Sequence, residues 1–149
     1  MTPETPQTAA GRTFLWVNVA IYAAFALTYF VVPELAAARF DIRLQSPAAL
    51  ADIRAVYGGL SLASSVFFVY GIRRVDWYVP ALFLATIAAA GLAGGRLYSW
   101  AASGAPNQLI SALLMTELVG ALWGVILLRT ERGVLPGGGS ALYTDRSGA

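Results

Sequence analysis

An all-α, polytopic membrane protein is the fold class this sequence predicts, and three observations carry it. Hydrophobic residues make up 58% of the 149 positions and charged residues 12%, against about 45–50% and about 25% in ordinary globular chains. Mean hydropathy is +0.64, and a soluble fold this small cannot bury that much apolar side chain and keep a wettable surface. The apolar residues also fall in four runs long enough to cross ~30 Å of hydrocarbon at 1.5 Å per residue. The expected architecture is four transmembrane helices in an up-down bundle, about 13–33, 47–72, 77–98 and 108–129, plus a short interfacial helix after the first. They form one domain, 13–132, between a polar tail (1–12) and a Gly-rich tail (133–149), both predicted disordered.

In chain order, Thr13–Val32 is a twenty-residue apolar run closed by Pro33. A cleavable signal peptide competes for this stretch, since Ala36-Ala37-Ala38 imitates a cleavage site, but the apolar run exceeds a signal's 7–15 residues and its leader holds an acid and one arginine. Asn18, Tyr22, Phe25 and Tyr29 share one face of this helix. Glu34–Gln45 alternates apolar residues with Arg39, Asp41 and Arg43, too short and too charged to span, as expected of a helix lying at the interface. Ser46-Pro47 is an N-cap followed by proline at the first helical position. Arg73–Asp76 reads as a tight turn that makes the third helix antiparallel to the second, with Asp76 as its cap and Trp77 and Tyr78 at the interface. Asn107 is the expected cap of the fourth helix, whose core Leu109–Leu128 carries one charge, Glu117.

All ten cations are arginine, and lysine, histidine and cysteine are absent. Disulfides and thiolate metal sites are excluded, and the commonest metal ligand and general base are missing. No metal site and no cofactor is expected. The arginines are scattered at helix ends and form no nucleic-acid patch. Arg12, Arg73, Arg74, Arg129, Arg132 and Arg146 fall on one side, Arg39, Arg43, Arg54 and Arg96 on the other. The positive-inside rule then predicts both termini in the cytoplasm of a bacterial inner membrane.

Glu117 lies ~12 Å below the Leu109 end, where an unpaired carboxylate costs several kcal/mol, so something must face it. Arg54, early in the second helix, and Arg96, late in the third, fall near that depth. The expected cluster is Arg54 and Arg96 around Glu117, with Tyr57 and Tyr29 supplying hydroxyls. Gly58, Ser61, Gly91, Gly95, Gly120 and Gly124 are expected to let the helices approach. Two readings of Glu117 stand: an ion pair that specifies the fold, or a group that handles a ligand or a proton. Arg96 snorkelling to the headgroups is the competing placement for that side chain. The four tryptophans, Trp16, Trp77, Trp100 and Trp123, read as an interface belt.

The string Ala51-Asp52-Ile53-Arg54-Ala55-Val56-Tyr57-Gly58-Gly59-Leu60, with Gly95-Arg96 and Glu117-Leu118 at these separations, resembles a family of small bacterial four-helix membrane proteins, domain of unknown function 4345. The resemblance covers roughly residues 13–132. It implies four helices and the Arg/Glu signature and brings no activity. A looser similarity to the DoxX-like four-helix proteins is an analogy of fold. The leading functional expectation is a non-catalytic membrane protein, an accessory subunit of a larger complex or a homo-oligomer. The alternative is binding or transport of a small anionic, lipid or quinone-like ligand at the Arg/Glu cluster. An enzyme is not expected, because no nucleophile–base pair or ligand set is present.

Overall fold

The computed structural model describes residues 7–105 and 107–133, so half of the expected 1–12 tail and nearly all of the 133–149 tail lie outside the described residues. Helix α1 spans Ala9–Val31, α2 Pro33–Ala38, α3 Pro47–Ile53, α4 Leu60–Arg73, α5 Val75–Ser103 and α6 Gln108–Gly133. A π-helical turn, Arg54–Gly59, joins α3 to α4 without a break, giving a single rod over Pro47–Arg73. Four helical rods are thus long and apolar enough to cross a membrane, and the protein is an all-α four-helix membrane protein.

Helix α1 starts four residues earlier than the apolar run suggests. Thr8, in extended conformation, accepts a hydrogen bond from the Gly11 amide at 3.1 Å, and this cap carries Ala9–Arg12 into the helix. Pro33 ends α1, because it cannot donate to the preceding turn, and opens α2. Helix α2 is only six residues long, half the expected interfacial segment. It stops where Asp41 takes a left-handed conformation (φ 59°) and the Ile42 amide turns back to the Ala37 carbonyl at 3.1 Å. Pro33, Ala36 and Ala37 are buried against the bundle.

The caps at Ser46 and Asn107 have the geometry of their type, accepting from the Ala49 and Ile110 amides at 3.1 and 3.0 Å. Asp76 does not cap. Arg74 is the one non-helical residue between α4 and α5, which places Asp76 inside the first turn of α5. Its carboxylate there still favours the helix dipole. The π-helical turn has no counterpart in the sequence expectation. The Leu60 amide reaches back five residues to the Ala55 carbonyl, and Gly58 and Gly59 supply side-chain-free positions in the widened turn.

Each rod packs on the next in the chain, α1 on α4, α4 on α5 and α5 on α6, as short connections require of an up-down bundle. The contiguous core is Phe14 and Leu15 of α1, Phe68 and Ile72 of α4, Tyr78, Ala81, Leu82 and Ala85 of α5, and Leu127 and Leu128 of α6. All of these lie in the half of the bundle that carries the termini. Two glycines set the approach there: a Cβ at Gly71 would overlap Ala81, and one at Gly124 would overlap Thr86. Ser65 adds an inter-helix hydrogen bond, donating to the Val19 carbonyl at 3.2 Å. Leu27, Leu60, Val119 and Leu122 are largely exposed, the outward apolar surface expected where lipid is the solvent.

Candidate functional site

Away from that core, in the half of the bundle holding α2, the start of α6 and the end of α5, lie the residues singled out from the sequence. Arg96 of α5 donates from a guanidinium nitrogen (Nη1) to Glu117 Oε1 of α6. The two side chains are 20% and 13% exposed, so Arg96 turns into the bundle and its contact is with Glu117. The second carboxylate oxygen, Oε2, is buried and has no hydrogen-bond partner among the described residues. The Tyr22 phenol of α1 lies within Coulombic range of the same carboxylate.

The other members of the expected cluster are arranged differently. Arg54 makes no ion pair with Glu117 among the described residues, and its Nε is buried without a partner. The π-helical turn begins at Arg54 and widens the helix, which rotates this side chain relative to the α4 face that the 3.6-residue period assigns it. Tyr29 and Tyr57 do come together, but as a stack with ring centroids 5.0 Å apart, continued by Phe25 at 6.2 Å from Tyr29. Neither hydroxyl bonds to the Arg96–Glu117 pair among the described contacts. The expected five-residue cluster therefore resolves into an ion pair, an aromatic stack and a separate arginine.

The small residues also divide. Gly124 lies against Thr86, Gly58 under the Phe30 ring, and Gly120 opposite Ala89. Ser61 is half-buried. Gly91 and Gly95 were expected at a helix contact, but among the described residues no atom of another helix lies within 4 Å of where their Cβ atoms would be, nor beside Gly94. These three form an open stripe on α5, because α6 docks on the face carrying Ala85, Ala89 and Ala93.

The sequence reading missed a second polar site, at the termini end. Glu131 of α6 is 1% exposed, the most deeply buried charged side chain among the described residues. Its Oε1 accepts from Thr8 Oγ1 at 2.6 Å and from the Tyr78 hydroxyl at 3.2 Å, so the start of α1, the start of α5 and the end of α6 meet on one oxygen. A signal for it existed: Glu131 continues the face of Gly120, Gly124 and Leu127 at intervals of 11, 7 and 4 residues. Its position beyond the apolar run hid it.

A crevice of about 420 Å³ opens between α1, the start of α6 and α2 with the turn after it, where Leu35, Ala36 and Phe40 join the lining. Phe25, Thr28 and Tyr29 of α1 face Leu109 and Leu113 of α6 across it, with Arg39 at its edge. Glu117 follows Leu113 by one turn on the same face of α6.

Among the described residues no group of three or more acidic, histidine or cysteine side chains is placed to hold a metal. No curated protein and no solved structure matches the chain. A family model does match, over residues 10–128, which takes in all four spans and both members of the ion pair: the protein belongs to the family described as a domain of unknown function, DUF4345.

Proposed function

We propose that the protein is a non-catalytic membrane protein that takes up a small ligand or a proton at the Arg96–Glu117 pair. One observation carries this reading: Glu117 Oε2 is buried with no donor among the described residues. A buried acceptor left unmade costs about 1–3 kcal/mol, and more when it is charged. A pair serving architecture alone removes that cost by satisfying both oxygens, as excellent geometry requires in low dielectric. A half-satisfied carboxylate gains free energy by accepting a proton or a guest's hydrogen-bond donor. The unpaired Nε of Arg54 is a second buried group in the same condition, beside a π-helical turn of the kind that recurs at functional sites. The arginine bias argues for a bacterial inner membrane with both termini in the cytoplasm.

Dicyclohexylcarbodiimide, which reacts with protonated carboxyl groups in apolar surroundings, tests the reading on the full chain in vesicles. The expected result is modification at Glu117, lost in Glu117→Gln while that variant stays folded. An unmodified Glu117 across the accessible pH range, together with an unfolded Glu117→Gln variant, would assign the pair to architecture and end the proposal.

The accessory-subunit role remains a second reading because a specific surface favours it. The Gly91, Gly94 and Gly95 stripe is open, and small-residue faces are where membrane helices associate closely. A stoichiometric partner retained in mild detergent supports this role. Isolation of a lone monomer under the same conditions counts against it.

A further inference from the structure

The crevice between α1, α2 and the start of α6 has a shape and a charge that none of the described residues fills. At the termini end the two helices are joined, by the edge-on contact of Phe14 and Trp123 with centroids 5.2 Å apart and by the Thr8–Glu131 hydrogen bond. Towards α2 they part, and the opening runs along the helices from Ala24 to Val32 on α1, about 12 Å of helix rise. Its walls are mainly apolar, and its lining on α1 follows the helix axis, the direction in which lipid chains run. Arg39 is the one charged residue among the described residues that line it. Glu34, in the first turn of α2, and Asp41, in the turn after it, do not line the opening.

We propose that this crevice binds an anionic phospholipid drawn from the surrounding bilayer, one acyl chain lying between α1 and α6 and the phosphate on the Arg39 guanidinium. The guanidinium fork matches phosphate geometry, and Arg39 is exposed, free to meet a headgroup. The apolar walls take the chain where they would otherwise face a gap. The inference rests on the preceding reading in that the protein takes up a guest inside the membrane, and it names the chemistry of that guest.

The test uses the full chain reconstituted in vesicles of equal parts phosphatidylglycerol and phosphatidylcholine, extracted in mild detergent and weighed by native mass spectrometry. The expected result is one phosphatidylglycerol retained per chain, preferred over phosphatidylcholine by about tenfold, because the choline cation beside the latter's phosphate repels the Arg39 guanidinium and glycerol does not. Arg39→Gln should bring the two lipids to parity, and Leu113→Trp, which places an indole in the opening, should abolish retention of either. Circular dichroism and gel filtration check that both variants fold. Parity in the unaltered chain, retention indifferent to both substitutions, or a fatty acid or partner polypeptide held in place of the phospholipid would overturn the proposal. Its fate separates from that of the Glu117 reading. Retention that falls in Arg39→Gln and Leu113→Trp but not in Glu117→Gln supports the crevice even if carbodiimide leaves Glu117 untouched. Labelling of Glu117 with lipid retention indifferent to Arg39 overturns the crevice alone.

Discussion

The half of the bundle that carries the termini and the half that carries α2 are made from the same four rods, yet they differ in how they hold polar groups. In the first, Phe14, Leu15, Phe68 and Leu82 fill the space between helices, and the one buried carboxylate, Glu131, receives hydroxyl donors from two other elements. In the second, α1 and α6 part around a crevice, and the carboxylate of Glu117 has a cation on one oxygen and, among the described residues, no donor on the other. A clamp at one end lets the other stay open: the interactions that hold the bundle together need not pass through the site. The comparison of Glu131 with Glu117 teaches the same lesson within a single helix. Two acids fourteen residues apart on one face of α6 lie in environments that differ in donor type and in completeness.

Substitutions can break this comparison or sharpen it. The largest effect is expected from Phe68→Ala in the filled half, where removing a fully buried ring costs about 3–5 kcal/mol and thermal unfolding in detergent should fall by many degrees. Glu131→Ala comes next. It leaves the Thr8 and Tyr78 hydroxyls without their shared acceptor, about 1–3 kcal/mol, and hydrogen exchange should rise at the α1 N-terminus before it rises at the α2 end. Glu117→Gln is expected to lower stability by less than Glu131→Ala, under about 1 kcal/mol, because an amide can still accept from Arg96. A loss equal to that of Glu131→Ala would erase the distinction between the halves. The smallest change, and one of opposite sign, is expected for Gly95→Ala. No neighbour meets the new methyl, and the helix gains about 0.5–1 kcal/mol in propensity. Destabilisation there would reveal a partner helix on the open face.

The separation of these residues in the chain explains what could be read in advance. Helix number and order are local properties, set by runs of apolar residues and by Pro33, Ser46 and Asn107, whose effects reach only a turn or two. The approach of Arg96 to Glu117 was legible because an up-down bundle fixes depth, and two charges at similar depth in neighbouring helices have few other partners. Arg54 was misplaced by the same argument, since a π-helical turn at Gly58 and Gly59 shifts the face that a regular helix would present. Glu131 was passed over because a charge beyond an apolar run is usually solvated. Thr8 and Tyr78, 123 and 53 residues away, make it otherwise.

By itself the sequence determined a membrane protein of four apolar rods with a charge embedded in the last, because burying apolar surface and satisfying backbone groups in lipid leave a composition of this kind little alternative. Tertiary structure alone decided that Arg96 and not Arg54 meets Glu117, which glycines are covered and where the helices part. Those outcomes depend on the rotation of each rod about its own axis, and that rotation is set by side-chain packing against neighbours distant in the chain.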